Sequence, residues 1–229
     1  MLILAHMRSG STLLHHLLLS HPDTIGCGER NATYRGPGDL RRLAVDAYYR
    51  RRQLLRRRAF AVDQINHTRF LADPALLNLP DTRAIFLIRQ PGPSLSSMVE
   101  VLGHHYGTTL EQAVFHYRTR LSDLERLAGG MTSPAHAFFL TYEALVDRTD
   151  EALAGLSRFL PLSPGLTSRY DTFRFTGSAG DPSPTIHTGQ IVRPLVRGPV
   201  LPAPLAADLY NIYTETRTRL RALCGAAVV

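Results

Sequence analysis

The chain has 229 residues, 44% of them hydrophobic, with a formal net charge of +7 and a pI near 9.9. That length suits one large domain or two small ones with a substantial core, and the positive balance favours an anionic ligand or partner. All 26 basic residues are Arg, which excludes a Lys nucleophile or Schiff base and matches the composition of GC-rich bacterial genomes. Two cysteines make no disulfide framework and suit a reducing compartment. With no signal peptide and no apolar run near the length of a membrane span, a cytoplasmic protein is expected.

Leu2-Ile3-Leu4-Ala5 predicts a short buried strand, and the Ser/Gly/Thr turn after it opens an amphipathic helix to Leu19. Residues 21–38 read as Gly/Pro-rich loop, and Asp39 is placed to cap a helix running to about Arg58. Residues 59–62 read as a second strand ending at Asp63, and 69–77 as a short helix. The run from Ala84 to Ile88 is the clearest buried strand, stopped by Arg89-Gln90-Pro91-Gly92-Pro93. Helices are expected over 94–104 and 110–127, a fourth strand over 137–140 ending at Thr141-Tyr142-Glu143, and a helix over 150–160. Pro, Gly, Ser and Thr dominate 161–204, which predicts a long loop, with 163–204 a flap over the site. A helix over 205–223 closes the chain.

Short apolar strands alternating with helices predict an α/β fold. The expected form is one domain over 1–229, a P-loop-type parallel sheet of four or five strands with helices on both faces. Ligands bind at the carboxyl ends of such strands, so the loops at 8–12, 63–67, 89–97 and 141–143 are expected to converge on one site.

The first loop has the chemistry of an anion cradle. Gly10 permits a close turn, Ser9, Ser11 and Thr12 supply hydroxyls, and Arg8 places a fixed cation at the mouth. The helix after it adds free N–H groups and partial positive charge. It is not a Walker A loop, which needs G-x-x-x-x-G-K-[ST]. Arg89 ends the strongest strand, and Ser97 lies eight residues later. Together they suggest a second anion site, and the competing reading is a strand-end Arg in a surface ion pair. Two anion sites at neighbouring strand ends fit a ligand with two separated phosphate groups.

Three motifs in order resemble the sulfotransferases that use 3′-phosphoadenosine 5′-phosphosulfate (PAPS). Arg8-Ser9-Gly10-Ser11-Thr12-Leu13-Leu14 resembles the family's 5′-phosphosulfate loop. Ile85-Phe86-Leu87-Ile88-Arg89-Gln90-Pro91 with Ser97 resembles its 3′-phosphate motif. Leu140-Thr141-Tyr142-Glu143-Ala144-Leu145-Val146 is similar to the segment whose Tyr lies beside the adenine. The match runs from Leu2 to about Leu162. Arg8 stands where some members carry Lys, and the tyrosylprotein and several bacterial branches of the family likewise place Arg there. The resemblance implies sulfuryl transfer from PAPS to a hydroxyl, with 3′,5′-adenosine diphosphate as product and no metal.

Cys27-Gly28-Glu29 is similar to the tyrosylprotein-type segment whose Glu is the catalytic base. The competing reading for Glu29 is a loop carboxylate paired with Arg30 or Arg35. His67 is the alternative base, or else a capping or surface His, and Asn66 is a candidate acceptor contact. Arg193 or Ser183 is a candidate for the basic tail contact that the family makes to the 3′-phosphate, against an ordinary ordered loop. The runs Arg41-Arg42, Arg50-Arg51-Arg52 and Arg56-Arg57-Arg58 read as a solvated face, with nucleic-acid binding, an acidic substrate or a dimer contact as sharper alternatives. His15-His16 and His104-His105 lack the spacing of a helical metal site. The expected partner is a small hydroxylated molecule, a secondary metabolite or carbohydrate, with no nucleic acid and no membrane; a homodimer stays open. The rival functions are a P-loop kinase using ATP–Mg, with Asp63 as its metal-holding carboxylate, and a non-enzymatic basic binding module.

Overall fold

The computed structural model describes residues 1–53, 57–178, 181, 183–193 and 201–229, without the side chains of His105 and Tyr106. Arg56 of the third arginine run, the His105 side chain and positions 179–180, 182 and 194–200 of the expected flap lie outside the described residues.

β1 (Leu2–Ala5) leads into α1 (Ser11–Leu19), followed by β2 (Thr24–Ile25) and α2 (Pro37–Arg51). β3 (Phe60–Ala61), β4 (Asp63–Ile65), α3 (Pro74–Leu77) and β5 (Ala84–Ile88) come next. α4 (Pro91–Ser97) continues as a π-helical turn over Met98–Leu102 into α5 (Gly103–Tyr106), then α6 (Leu110–Gly129). β6 (Ala137–Thr141), α7 (Tyr142–Asp147), α8 (Thr149–Phe159), α9 (Ala203–Leu223) and β7 (Ala226–Val228) complete the order.

Five parallel strands form one sheet in the order β4-β1-β5-β6-β7, and β2 pairs with β3 in a separate two-stranded piece. β1, β5 and β6 are buried at every position because helices cover both faces. Side-chain alternation divides the core. Leu2, Leu4, Phe86 and Phe139 pack with Tyr117, Leu121 and Leu220 of α6 and α9. Ile3, Ile85, Leu87 and Phe138 pack with Leu14, Leu18 and Leu156 of α1 and α8. None of the described helices is long and apolar enough to cross a membrane.

Several boundaries differ from the sequence reading. α2 stops at Arg51, where Arg52 turns into the left-handed region at φ 52°. Of the expected strand over 59–62, only Phe60–Ala61 forms a strand, as β3 of the two-stranded piece, and Asp63 begins β4 of the main sheet rather than ending a strand. The helix after β5 starts at Pro91, since proline's fixed φ suits a first turn. Tyr142 opens a helix directly, with Thr141 as its N-cap. The only described helical residues within 69–77 are Pro74–Leu77, and β7 follows the last helix.

Arg120 fastens the sheet beneath the first loop. It is 1% exposed, and its guanidinium donates from Nε to the Ala5 carbonyl (2.7 Å) and from Nη2 to the Ile65 carbonyl (2.6 Å). It joins the carboxyl ends of β1 and β4. Arg120→Ala should lower the unfolding free energy by about 3 kcal/mol, because two buried carbonyls lose their donors; urea denaturation at neutral pH measures it.

Candidate active site

A cavity of about 1050 Å³ opens at the carboxyl ends of the parallel strands. It is lined from β1 by Arg8, Gly10, Ser11, Thr12 and Leu13, from β4 by Asn66 and His67, from β5 by Arg89 and Ser97, and from β6 by Tyr142. The four loops expected to converge do so. Glu29, Asp181 and Ser183 also line it.

The first loop is shaped by backbone that few residues adopt. Arg8 lies at φ 61° and Gly10 at φ 89°. A Cβ on Gly10 would sit 2.3 Å from Tyr142 Cδ2, so the ring and the turn fit only with glycine. Gly10 is the N-cap of α1, and no side chain caps that helix. Its first-turn amides therefore remain available to an anion. Ser9 Oγ is buried with no hydrogen-bond partner.

Arg89 is 7% exposed. Its guanidinium stacks 4.1 Å from the Tyr142 ring centroid, and Nη1 donates to the Arg8 carbonyl at 3.2 Å. Nε is buried without a partner. The Arg89 amide donates to His6 Nε2 (3.0 Å), and its carbonyl accepts from the Tyr117 hydroxyl (2.8 Å). His6 Nδ1 donates to the Met7 carbonyl at 2.8 Å, and burial depresses the His6 pKa to about 4, so the ring is neutral. The cation is thus fixed in place with one buried N–H unanswered. Ser97 Oγ accepts from Arg8 Nε at 2.9 Å, so it links the two predicted anion sites.

Glu29 stands on the other side of the cavity. It pairs with neither Arg30 nor Arg35; Asn66 Nδ2 donates to its Oε1 at 3.2 Å. Burial, then the nearby Asp63 charge, raise its pKa to about 7, against the smaller opposing effect of Asn66. Asp63 is fully buried and accepts from the Arg30 amide (3.2 Å) and the Tyr34 hydroxyl (2.5 Å). Arg30 in turn pairs with Asp46 of α2. Thus β4 and α2 together pin the loop that carries Glu29. His67 lines the same cavity, and its Nδ1 accepts the Arg69 amide at 2.9 Å in a turn; it caps no helix, since the next one, Pro74–Leu77, is capped by Asp73.

The tail candidates separate. Ser183 lines the cavity and donates from Oγ to Asp181 Oδ2 at 2.7 Å. Arg193 is exposed and pairs with Asp147 of α7. The expected helix to Arg58 ends at Arg51, so only Arg41, Arg42, Arg50 and Arg51 of the arginine runs lie on α2. Leu43 and Ala47 bury one side of α2, leaving Arg41, Val45 and Tyr49 on the other. Sequence reasoning missed Asp181 and His116. His116 Nε2 accepts the Met7 amide at 3.3 Å, and its ring is 5.4 Å from that of His67.

Three solved structures similar in fold are sulfotransferases or sulfotransferase domains. The chain superposes on the sulfotransferase domain of the curacin biosynthetic pathway with TM-score 0.61 and 18% identity, over 93% of this chain and 96% of that one. The domain from the Synechococcus PCC 7002 olefin synthase gives TM-score 0.56 and 17% identity, over 93% of each chain. Mouse sulfotransferase SULT7A1, solved in complex with PAP, gives TM-score 0.50 and 13% identity, over 97% of this chain and 86% of that one. No protein-family model and no curated protein matches the chain.

Glu29 yields a prediction independent of ligand. Its folded pKa is raised, so its contribution to stability is fully present below the unfolded value near 4.5 and is lost as pH rises through about 7. Glu29→Gln should therefore gain stability relative to wild type between pH 4 and pH 8, measured as the difference in unfolding free energy across that range.

Proposed function

We propose that this chain is a sulfotransferase that moves the sulfuryl group of PAPS to the hydroxyl of a small-molecule acceptor. The observation that carries the reading is one cavity that joins an uncapped helix start with Arg8, a buried Arg89 with an unanswered N–H, and a carboxylate held near pKa 7. The sulfotransferase fold of the neighbours supports it, and the complex of the mouse protein with PAP supports the choice of donor. The chain acts in this reading as one domain over 1–229, and the described residues Asp181, Ser183 and Gln190 of the expected flap line the cavity. The residue types suit bacterial composition and the cytoplasm.

When bound, the donor supplies an electrophilic sulfuryl group on a phosphate leaving group. Ser9 to Leu13 and Arg8 hold the 5′ side, where developing negative charge meets backbone N–H groups and the Arg8 guanidinium. Arg8 cannot give up a proton, so its role is electrostatic. Arg89 and Ser97 take the 3′-phosphate, and Tyr142, fixed against Arg89, flanks the adenine. Glu29 removes the acceptor proton as the new O–S bond forms. A carboxylate poised near pKa 7 is a better base than one at the ordinary value, and Asn66 fixes its orientation. His67 stays the alternative base, with a ring nitrogen already occupied. Nothing in this sequence of roles calls for a metal.

Two measurements test the proposal. 3′,5′-Adenosine diphosphate should raise the melting temperature without Mg²⁺ by an amount that grows with ligand concentration, and Arg89→Ala should weaken that binding by about 1.5–3 kcal/mol. Stabilisation by ATP–Mg²⁺ alone would favour a kinase. In a screen of hydroxylated metabolites with labelled PAPS, turnover should rise with pH through about 7 as Glu29 ionises, and Glu29→Gln should lose it. Full turnover by Glu29→Gln would move the base to His67.

A further inference from the structure

Arg8 already holds an anion. Its guanidinium presents the Nε and Nη2 edge, the pair of donors that grips a carboxylate or phosphate. Nε is spent on Ser97 Oγ at 2.9 Å, and Nη2 is spent on Asp181 Oδ1 at 2.9 Å. The Asp181 carboxylate also accepts the Ser183 amide at 3.0 Å and the Ser183 hydroxyl at 2.7 Å. Its side chain is 24% exposed and that of Arg8 14%, so the pair lies partly out of water. Arg8 and the Asp181–Ser183 pair all line the cavity. Asp181 keeps its charge: burial opposes ionisation, but Arg8 and the Ser183 bonds outweigh it and lower its pKa. The short helical turn after Ser183, Pro184–Thr188, is anchored by Ile186, buried against the α1 face of the core. The carboxylate is thus delivered to Arg8 from a packed support.

From this geometry we propose that Asp181 is a built-in competitor for the donor's 5′ anionic group, so that donor binding is an exchange in which the carboxylate leaves Arg8 and a phosphate oxygen takes its place. The inference rests on the sulfotransferase reading of the cavity and adds to it a residue that sets donor affinity. The Asp181-bound state binds donor weakly, and apparent affinity is reduced by the fraction of molecules in that state. In that state Arg8 is neutralised, its side chain held by Ser97 and Asp181 and its carbonyl by Arg89.

Calorimetric titration of 3′,5′-adenosine diphosphate into wild type, Asp181→Asn, Arg8→Gln and the double variant decides it. Asp181→Asn should bind the nucleotide about fivefold or more tightly than wild type. That gain should vanish in the Arg8→Gln background, because the competition acts through Arg8. Equal or weaker binding by Asp181→Asn overturns the inference and leaves the sulfotransferase reading intact. An undiminished gain in the Arg8→Gln background also overturns it, since removing a nearby negative charge would then suffice. If wild type takes no nucleotide at all, the reading of the cavity falls. The exchange is then judged with pyrophosphate, which must raise the melting temperature of Asp181→Asn more than that of wild type.

Discussion

A guanidinium buried at a strand end makes a demand on everything around it. Arg89 is held by a stack on Tyr142, by the Arg8 carbonyl and, through its own peptide, by His6 and Tyr117. Those contacts tie the ends of β1, β5 and β6 to α6. One N–H is left without a partner in a buried place, which costs stability. Neutral His6 matters here, because a second cation beside Arg89 would add to that cost. The cation is therefore oriented before ligand binds, which is the condition under which electrostatic stabilisation needs no rearrangement.

The opposite wall works by the same means with the opposite charge. Asp63 is buried within a strand, and its oxygens are occupied by the Arg30 amide and the Tyr34 hydroxyl. Its charge and the burial of Glu29 favour the protonated form of Glu29. A rigid carboxylate near neutrality thus faces a rigid cation across one cavity. Between them Arg8, at φ 61° and shared by Ser97 and Asp181, is the group whose partners change in the proposed exchange.

The strands most visible in the sequence are those buried on both faces. Leu2–Ala5, Ala84–Ile88 and Ala137–Thr141 read as unbroken apolar runs, each ending in a polar turn. Arg8, Arg89, Ser97 and Tyr142 followed from their places at strand ends, and Glu29 from resemblance. β4 was obscured because Asp63 and Gln64 are polar residues inside it, so the apolar signal ended at Val62. β7 is a three-residue strand of small residues after a long helix, with no periodicity to find. Asp181 carries no local signal at all. It lies 173 positions from Arg8, in a stretch dominated by turn residues, and only the fold brings the two together. Arg120 carries no such signal either, because only the fold brings to it the strand-end carbonyls of Ala5 and Ile65.

The most direct measurement of the central claim is a crystal structure with 3′,5′-adenosine diphosphate bound. The account predicts the 5′-phosphate on the amides of residues 10–13 beside Arg8, the 3′-phosphate on Arg89 and Ser97, and Tyr142 beside the base. Nucleotide bound elsewhere, or phosphates that leave the Arg89 Nε unanswered, would contradict it.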